Sequence, residues 1–220
     1  MRWLALMPLR GGSKSIPGKN LRHIAGRPLF AWSLEQVLRS KAFERVVVAT
    51  DADSISAAVK ELFGSAVEVI GRSAATATDE ASTESVMLEV QRKLPFDVVG
   101  LVQATSPLTR ARHFVEARER FEHHNWDSLL TAVASRRFYW SCDGRPLNYD
   151  PQARPRRQDF AGSLIENGAF YYTRAAILER FRNRLGGKIG IYEMPADTLA
   201  EIDEPEDWHV VEQALMAREQ

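Results

Sequence analysis

Short apolar runs alternate with amphipathic segments through the first half of the chain, the pattern of a parallel sheet buried between two layers of helices. The apolar runs predict strands at residues 4–7, 45–49, 66–70, 98–102 and 128–133. Each is short and nearly continuous in its apolarity, as strands covered on both faces are. Between the first two, Pro28 opens a helix running to about Ser40, where Leu29, Phe30, Trp32, Leu34, Val37 and Leu38 supply a broad apolar surface. Further helices are expected at 54–63, 83–94 and 111–123. After Val133 the rhythm breaks: Arg136, Arg137, Phe138, Tyr139 and Trp140 lead into a Pro- and Arg-rich stretch, 146–157, that is not another βα unit. This predicts an inserted arm over 136–160, used either as a hairpin packed on its own domain or as a subunit contact. A strand at 168–172, a helix at 174–184, a strand at 189–194 and a helix at 206–218 complete an α/β fold with a mostly parallel, doubly wound sheet.

Length and composition narrow the picture. The 220 residues fit a single domain spanning 1–220. With 45% hydrophobic and 26% charged residues, disordered, collagen-like and disulfide-scaffold readings are excluded. Lys plus Arg equals Asp plus Glu at 29 each, so no overall field favours nucleic acid or an anionic membrane, and neither is expected as a partner. An anion site must therefore be local. Cys142 is the only cysteine and has no disulfide partner in the chain, and no apolar run approaches the ~20 residues needed to span a bilayer. The apolar N-terminus is cut by Pro8 and Arg10-Gly11-Gly12, too soon for a signal peptide, so a first strand and a cytoplasmic location are expected.

The most informative stretch follows that strand: Arg10-Gly11-Gly12-Ser13-Lys14-Ser15-Ile16-Pro17-Gly18-Lys19-Asn20. Glycines let the backbone approach a ligand and turn its N–H groups inward, and Arg10, Lys14 and Lys19 add cations, a combination suited to a polyphosphate. It is neither a Walker A loop, because five residues separate Gly12 from Gly18 and Asn20 follows Lys19, nor GxGxxG. A second candidate is Glu201-Ile202-Asp203 ahead of Pro205. If residues 199–203 are extended, Ile202 points to the core while Glu201 and Asp203 face one site, where two hard oxygen donors suit Mg²⁺ bridged to substrate phosphate. Glu204, Glu206 and Asp207 are read as complements to the dipole of the closing helix. A third segment, Gln103 to Arg110, follows a buried strand, where open α/β sheets bind ligands; its Thr105, Ser106 and Thr109 fit turn and cap roles equally well. Asp51 and Asp53 are read as helix-capping residues rather than a metal pair.

Taken together, Arg10 to Lys14, Ile16 to Asn20, Gln103 to Leu108, Arg154-Pro155-Arg156-Arg157-Gln158-Asp159, Glu166 to Tyr171 and Ile202-Asp203 resemble the N-acylneuraminate cytidylyltransferases, in family order and over nearly the whole chain. The resemblance implies a nucleotide-diphosphate-sugar transferase-like fold and a homodimer joined by an exchanged arm. It also implies Mg²⁺-dependent transfer of CMP from CTP to the anomeric hydroxyl of a nonulosonic acid, N-acetylneuraminate or Kdn. Carried over by motif, Arg10, Gly11, Gly12, Ser13, Lys14, Lys19 and Asn20 would surround the CTP phosphates and nucleotide, and Arg72, Ala81 and Ser82 would contact cytosine and ribose. Gln103, Arg157, Asn167 and Tyr171 would form the sugar pocket, with Arg157 paired to the sugar carboxylate. Asp203 would be the principal metal ligand and Glu201 a second, and Arg10, Lys19 and Asp203 would carry the catalysis. Two departures from the family pattern stand out: Leu9 replaces the usual Ala and is expected to crowd the loop, and Glu201 replaces Asp. The C-terminal phosphatase-like domain of animal relatives is not expected in a chain ending at Gln220. Within the class, the alternatives are synthetases for legionaminate, pseudaminate or Kdo. Outside it, they are a non-catalytic nucleotide-sugar-binding module and a dehydrogenase, the latter opposed by the missing GxGxxG.

Overall fold

The computed structural model describes residues 1–12, 15–78 and 80–219. In chain order its elements are β1 (Trp3–Leu9), β2 (His23–Ile24), β3 (Arg27–Pro28), α1 (Leu29–Ser40), β4 (Arg45–Thr50), α2 (Asp53–Phe63), β5 (Glu68–Gly71), α3 (Ala74–Ala77), α4 (Thr83–Lys93), β6 (Val98–Val102), α5 (Ala111–His123), β7 (Ser128–Ser135), β8 (Ser163–Arg174), α6 (Ala175–Phe181), β9 (Ile189–Met194) and α7 (Asp207–Glu219). One seven-stranded sheet, ordered β5-β4-β1-β6-β8-β7-β9, runs through the chain, and β2 and β3 form a separate small hairpin. Within the large sheet only β8 runs antiparallel to its neighbours, so the expected mostly parallel α/β sheet is what forms.

Alternation along β1 explains how the sheet is covered twice. Trp3, Ala5, Met7 and Leu9 enter the cluster beneath α1, α2 and α5, whereas Leu4 and Leu6 enter the cluster beneath α4 and α6. Leu9 is 1% exposed, so it packs in the core rather than crowding the loop. A third cluster joins Ile16, Ile24, Trp32, Leu108, Ile202, Trp208, Val211 and Leu215, and it seats α7 against loops from the carboxyl edge of the sheet.

Several boundaries move for physical reasons. The strand expected at 66–70 begins at Glu68, because Gly64–Ala66 forms a 3₁₀ turn after Gly64 ends α2 at φ +55°. The strand expected at 168–172 extends to Ser163–Arg174, paired on both sides by β6 and β7. Residues 199–203 are not a strand. They follow a 3₁₀ turn, Ala196–Leu199, and make one ladder-like bond, from the Ile202 N–H to the Thr105 carbonyl at 2.9 Å. Neither Asp51 nor Asp53 caps α2: the cap position is Ala52, without a side-chain bond, and Asp53 is already helical.

The arm packs on itself as the hairpin reading expects, and leaves part of its apolar surface uncovered. Phe138 packs on Tyr149 and Phe160 at ring distances of 4.4 and 4.8 Å, with the Arg154 guanidinium 4.4 Å above Phe138, so its inner aromatics are satisfied within the arm. Trp140 and Leu147, paired across the hairpin by a bridge at Trp140–Pro146 and the Leu147 N–H to Tyr139 carbonyl bond, remain 50% and 64% exposed. Among the described residues no helix is long and apolar enough to cross a membrane.

Candidate active site

β1 pairs with β6 only from Trp3 to Leu6 but with β4 as far as Leu9. Pro8 has no N–H to offer a further ladder, and at that point the two strands part. This is the topological switch point of the sheet, where connections leave in opposite directions and open α/β sheets bind ligands. A cleft of about 260 Å³ opens there, lined by Pro8 near the end of β1, Arg10 just after it, Asn20, Arg72 after β5, Thr78, Ala81 and Thr83 before and in α4, and Gln103 to Thr105 after β6.

The loop that enters the cleft is anchored at both ends. Gly11 donates its N–H to Asp51 Oδ1 at 3.1 Å, and a Cβ there would meet the Ala52 Cβ at 2.8 Å, so only glycine permits this approach to the end of β4. Asp51 is thus a loop anchor, a role hidden in the sequence by its place before a helix. Asn20 Nδ2 donates to the Arg10 carbonyl at 3.0 Å, and Ile16 is buried at 1% exposure beside Ile202 in the third cluster. Gly12 is exposed on the same turn. Ser13 and Lys14, both expected at the phosphates, lie outside the described residues.

Lys19 links this loop to the acidic turn. Its Nζ donates to the Ile202 carbonyl at 2.9 Å and lies 3.5 Å from Asp203 Oδ1. Ser15 Oγ donates to the Asp203 carbonyl at 2.7 Å, and Asp207 accepts the backbone N–H groups of Asp203 and Glu204 at 2.9 and 2.8 Å. Those two bonds hold the Asp207 carboxyl below the usual carboxylate range, as befits a group that shapes the turn. Glu201 is half-buried, and burial, then the charges of Asp203 and Asp207, push its carboxyl up against the opposing pull of Lys19. Gly168, at φ +62°, lets the β8 backbone come close to Glu201; a Cβ would stand 3.3 Å from its Oε2. Among the described residues no cluster of three His, Cys, Asp or Glu is arranged to hold a metal. Glu201 and Asp203 are two oxygen donors in an electronegative setting, which fits a Mg²⁺ that keeps waters and takes its remaining ligands from substrate oxygens.

The other expected site residues divide between the cleft and elsewhere. Arg72 lines the cleft, with its guanidinium donating to the Thr76 carbonyl and its Nε buried without a partner among the described residues. Burial lowers its pKa first, the nearby Arg10 adding to this while Asp51 and Glu89 oppose it. Ala81 is also on the wall, but Ser82 is an N-cap, its Oγ accepting the Ser85 N–H at 3.2 Å. Gln103 lines the cleft and donates its N–H to the Ala169 carbonyl at 3.1 Å. Asn167 does not reach that surface: it is 1% exposed, and its Nδ2 donates to the Thr198 carbonyl and Oγ1 at 3.2 and 3.1 Å, which steadies the approach to Glu201. Tyr171 is 5% exposed, donates its hydroxyl to Glu166 and lies under Arg184 at 4.9 Å. Burial, then Glu166, push its pKa upward. Arg157 is exposed in the arm, lining a separate open concavity with Arg136, Arg137, Phe138, Arg154 and Pro155. Within one chain the expected sugar residues are therefore dispersed.

The family model described as cytidylyltransferase matches residues 4–216. The chain is 40% identical over 221 residues to N-acylneuraminate cytidylyltransferase of Oncorhynchus mykiss, covering 96% of this chain and 50% of that protein. It is 36% identical over 220 residues to N-acylneuraminate cytidylyltransferase A of Danio rerio, with the same shares covered. The chain thus spans about half the length of these curated relatives. The solved structure of CMP:2-keto-3-deoxy-manno-octonic acid synthetase complexed with CTP superposes with a TM-score of 0.74 at 22% identity and complete coverage of both chains, a likeness of fold.

Proposed function

Because the chain belongs to the cytidylyltransferase family, we propose that it transfers CMP from CTP to the anomeric hydroxyl of a nonulosonic acid, N-acetylneuraminate or Kdn, releasing pyrophosphate. The observation that carries this reading is the convergence of Arg10, Asn20, Arg72 and Gln103 on one switch-point cleft, with Lys19 joining its loop to Ile202 and Asp203. In the proposed reaction the sugar 2-hydroxyl oxygen attacks the α-phosphorus of CTP, the α–β anhydride bond breaks, the hydroxyl proton is lost and pyrophosphate leaves. Such transfers depend on alignment and on neutralising charge more than on covalent help. Arg10 and Lys19 would meet the phosphates, Arg72 and Ala81 the base and ribose, and Gln103 the sugar. Glu201 and Asp203 would hold Mg²⁺, which when bound would screen phosphate charge and favour loss of the hydroxyl proton. The test is pyrophosphate release from CTP, UTP, ATP and GTP across a panel of nonulosonic acids. CTP is expected to exceed the other nucleotides by a wide margin with N-acetylneuraminate or Kdn, and equal turnover of all four would overturn the reading.

The same proposal includes a homodimer, in which the arm supplies Arg157 to a neighbour's sugar pocket, and a cytoplasmic location, with Cys142 a free thiol. Exposed Trp140 and Leu147 support the dimer, as does a sheet face bearing Leu164, Ile189 and Ile191, all exposed. The pairs Ala134–Leu164, Leu130–Ile191 and Ser128–Ile189 put those residues on a common face. Light scattering at micromolar concentration is expected to give twice the chain mass. A strictly monomeric species would remove both the dimer and the shared pocket.

A further inference from the structure

The cleft wall from Arg72 to Thr78 is built around α3, whose four residues are too few to hold themselves in place by internal hydrogen bonds. Its support comes from α4. Glu89 Oε1 accepts the Ser73 N–H at 3.0 Å, while Oε2 accepts Ser73 Oγ at 2.9 Å and Thr76 Oγ1 at 2.6 Å. One turn later Lys93 Nζ donates to Glu89 Oε1 at 2.6 Å and to the Gly71 carbonyl at 2.9 Å. The chain is thus tied on both sides of Arg72, whose guanidinium in turn donates to the Thr76 carbonyl. The Glu89 side chain is 12% exposed, unlike an ordinary surface Glu–Lys pair on a helix.

We propose that Glu89 is a positioning residue for nucleotide recognition, its carboxylate fixing residues 72–78 so that Arg72 meets the base end of the nucleotide in one geometry. The inference rests on the CTP reading above. Burial alone would raise the Glu89 carboxyl, but hydrogen bonds from Lys93, Thr76 and Ser73 outweigh it and bring it down to about 2, so the group stays an acceptor across the working pH range. Glutamine at this position keeps the shape but removes the negative charge and turns one acceptor into a donor, so the Ser73 and Thr76 donors and the Lys93 ammonium are left with one acceptor oxygen and no anion.

The experiment is steady-state kinetics of Glu89→Gln beside the unaltered chain, with CTP and UTP, together with direct CTP binding and thermal melts. A positioning role predicts KM for CTP raised by about tenfold with kcat within about twofold, KM for the sugar unchanged, and a narrowed CTP-to-UTP preference. A folded Glu89→Gln with unchanged KM and unchanged preference overturns the inference, as does an equal loss of kcat at unaltered KM. If Glu89→Gln does not fold, Ser73→Ala and Thr76→Val each remove one hydroxyl donor to the same carboxylate; a raised KM for CTP supports the inference and an unchanged one overturns it. An unaltered chain indifferent to CTP would overturn the functional reading and this inference together. A selective unaltered chain with an equally selective variant would overturn this inference alone.

Discussion

Asp203→Asn is expected to lower kcat by about 10²-fold or more, roughly 2.7 kcal/mol of transition-state stabilisation, with the fold intact. The side chain is 61% exposed, and its 3.5 Å contact with Lys19 is the kind of partly solvated pair that contributes little to stability. What shapes the turn is backbone: the Asp203 carbonyl accepts Ser15 Oγ and its N–H goes to Asp207, and both bonds survive the substitution. The variant therefore removes one negative charge and little else. Glu201→Gln should fall between this variant and the unaltered chain, and exposed Glu206→Gln should leave the rate unchanged. There is also a pH signature. In the metal-free protein burial raises the Glu201 carboxyl most, and Asp203 adds to that, so removing the Asp203 charge should lower the pH at which Glu201 titrates. Pyrophosphate release against Mg²⁺ concentration, NMR titration of Glu201 in the metal-free protein and circular dichroism as the control measure all of this. A near-normal rate with normal Mg²⁺ dependence would mean that the acidic pair only starts a helix.

Fold class was legible because burial on both faces leaves a direct trace. The run Val98–Val102 is buried throughout and reads as a strand without help from its neighbours. Less legible were elements whose conformation depends on distant partners. Residues 199–203 alternate like a strand, yet α7 and Thr105 hold them as an irregular segment, and burial of Ile202 comes from α7 packing rather than from a sheet. Within the site, the loop after β1 announced itself through glycine and cation spacing, because a ligand-binding turn needs both in one short stretch. Asp51 and Glu89 did not. One sits where helix caps usually sit, the other in an i,i+4 pair with Lys93 that looks solvated, and only the tertiary arrangement turns them toward Gly11 and Ser73. Asn167 illustrates the reverse: its motif is clear, but the structure directs its amide to Thr198 rather than to the cleft.

Lys19→Met should be as damaging as the loss of Asp203, for a different reason. Methionine preserves most of the aliphatic stem, which is 14% exposed here, so packing changes little. The ammonium has two tasks. In the proposed reaction it neutralises charge that builds on the departing pyrophosphate, and removing one such donor typically lowers kcat by about 10²–10³-fold. It also donates to the Ile202 carbonyl, tying the loop after β1 to the acidic turn, and losing that bond should lower stability by about 1 kcal/mol. The two tasks separate in Lys19→Arg, which restores a cation but not the compact geometry, so CTP binding should recover further than turnover. In Lys19→Met the Glu201 carboxyl should titrate higher than in the unaltered chain, because Lys19 is the cation that pulls it down. In the metal-free protein the Glu201 titration then moves opposite to that in Asp203→Asn, a contrast that general unfolding would not produce. Single-turnover rates, CTP titrations and thermal melts across pH measure these effects. Normal turnover in Lys19→Met would remove Lys19 from the chemistry and leave it only the structural tie to Ile202.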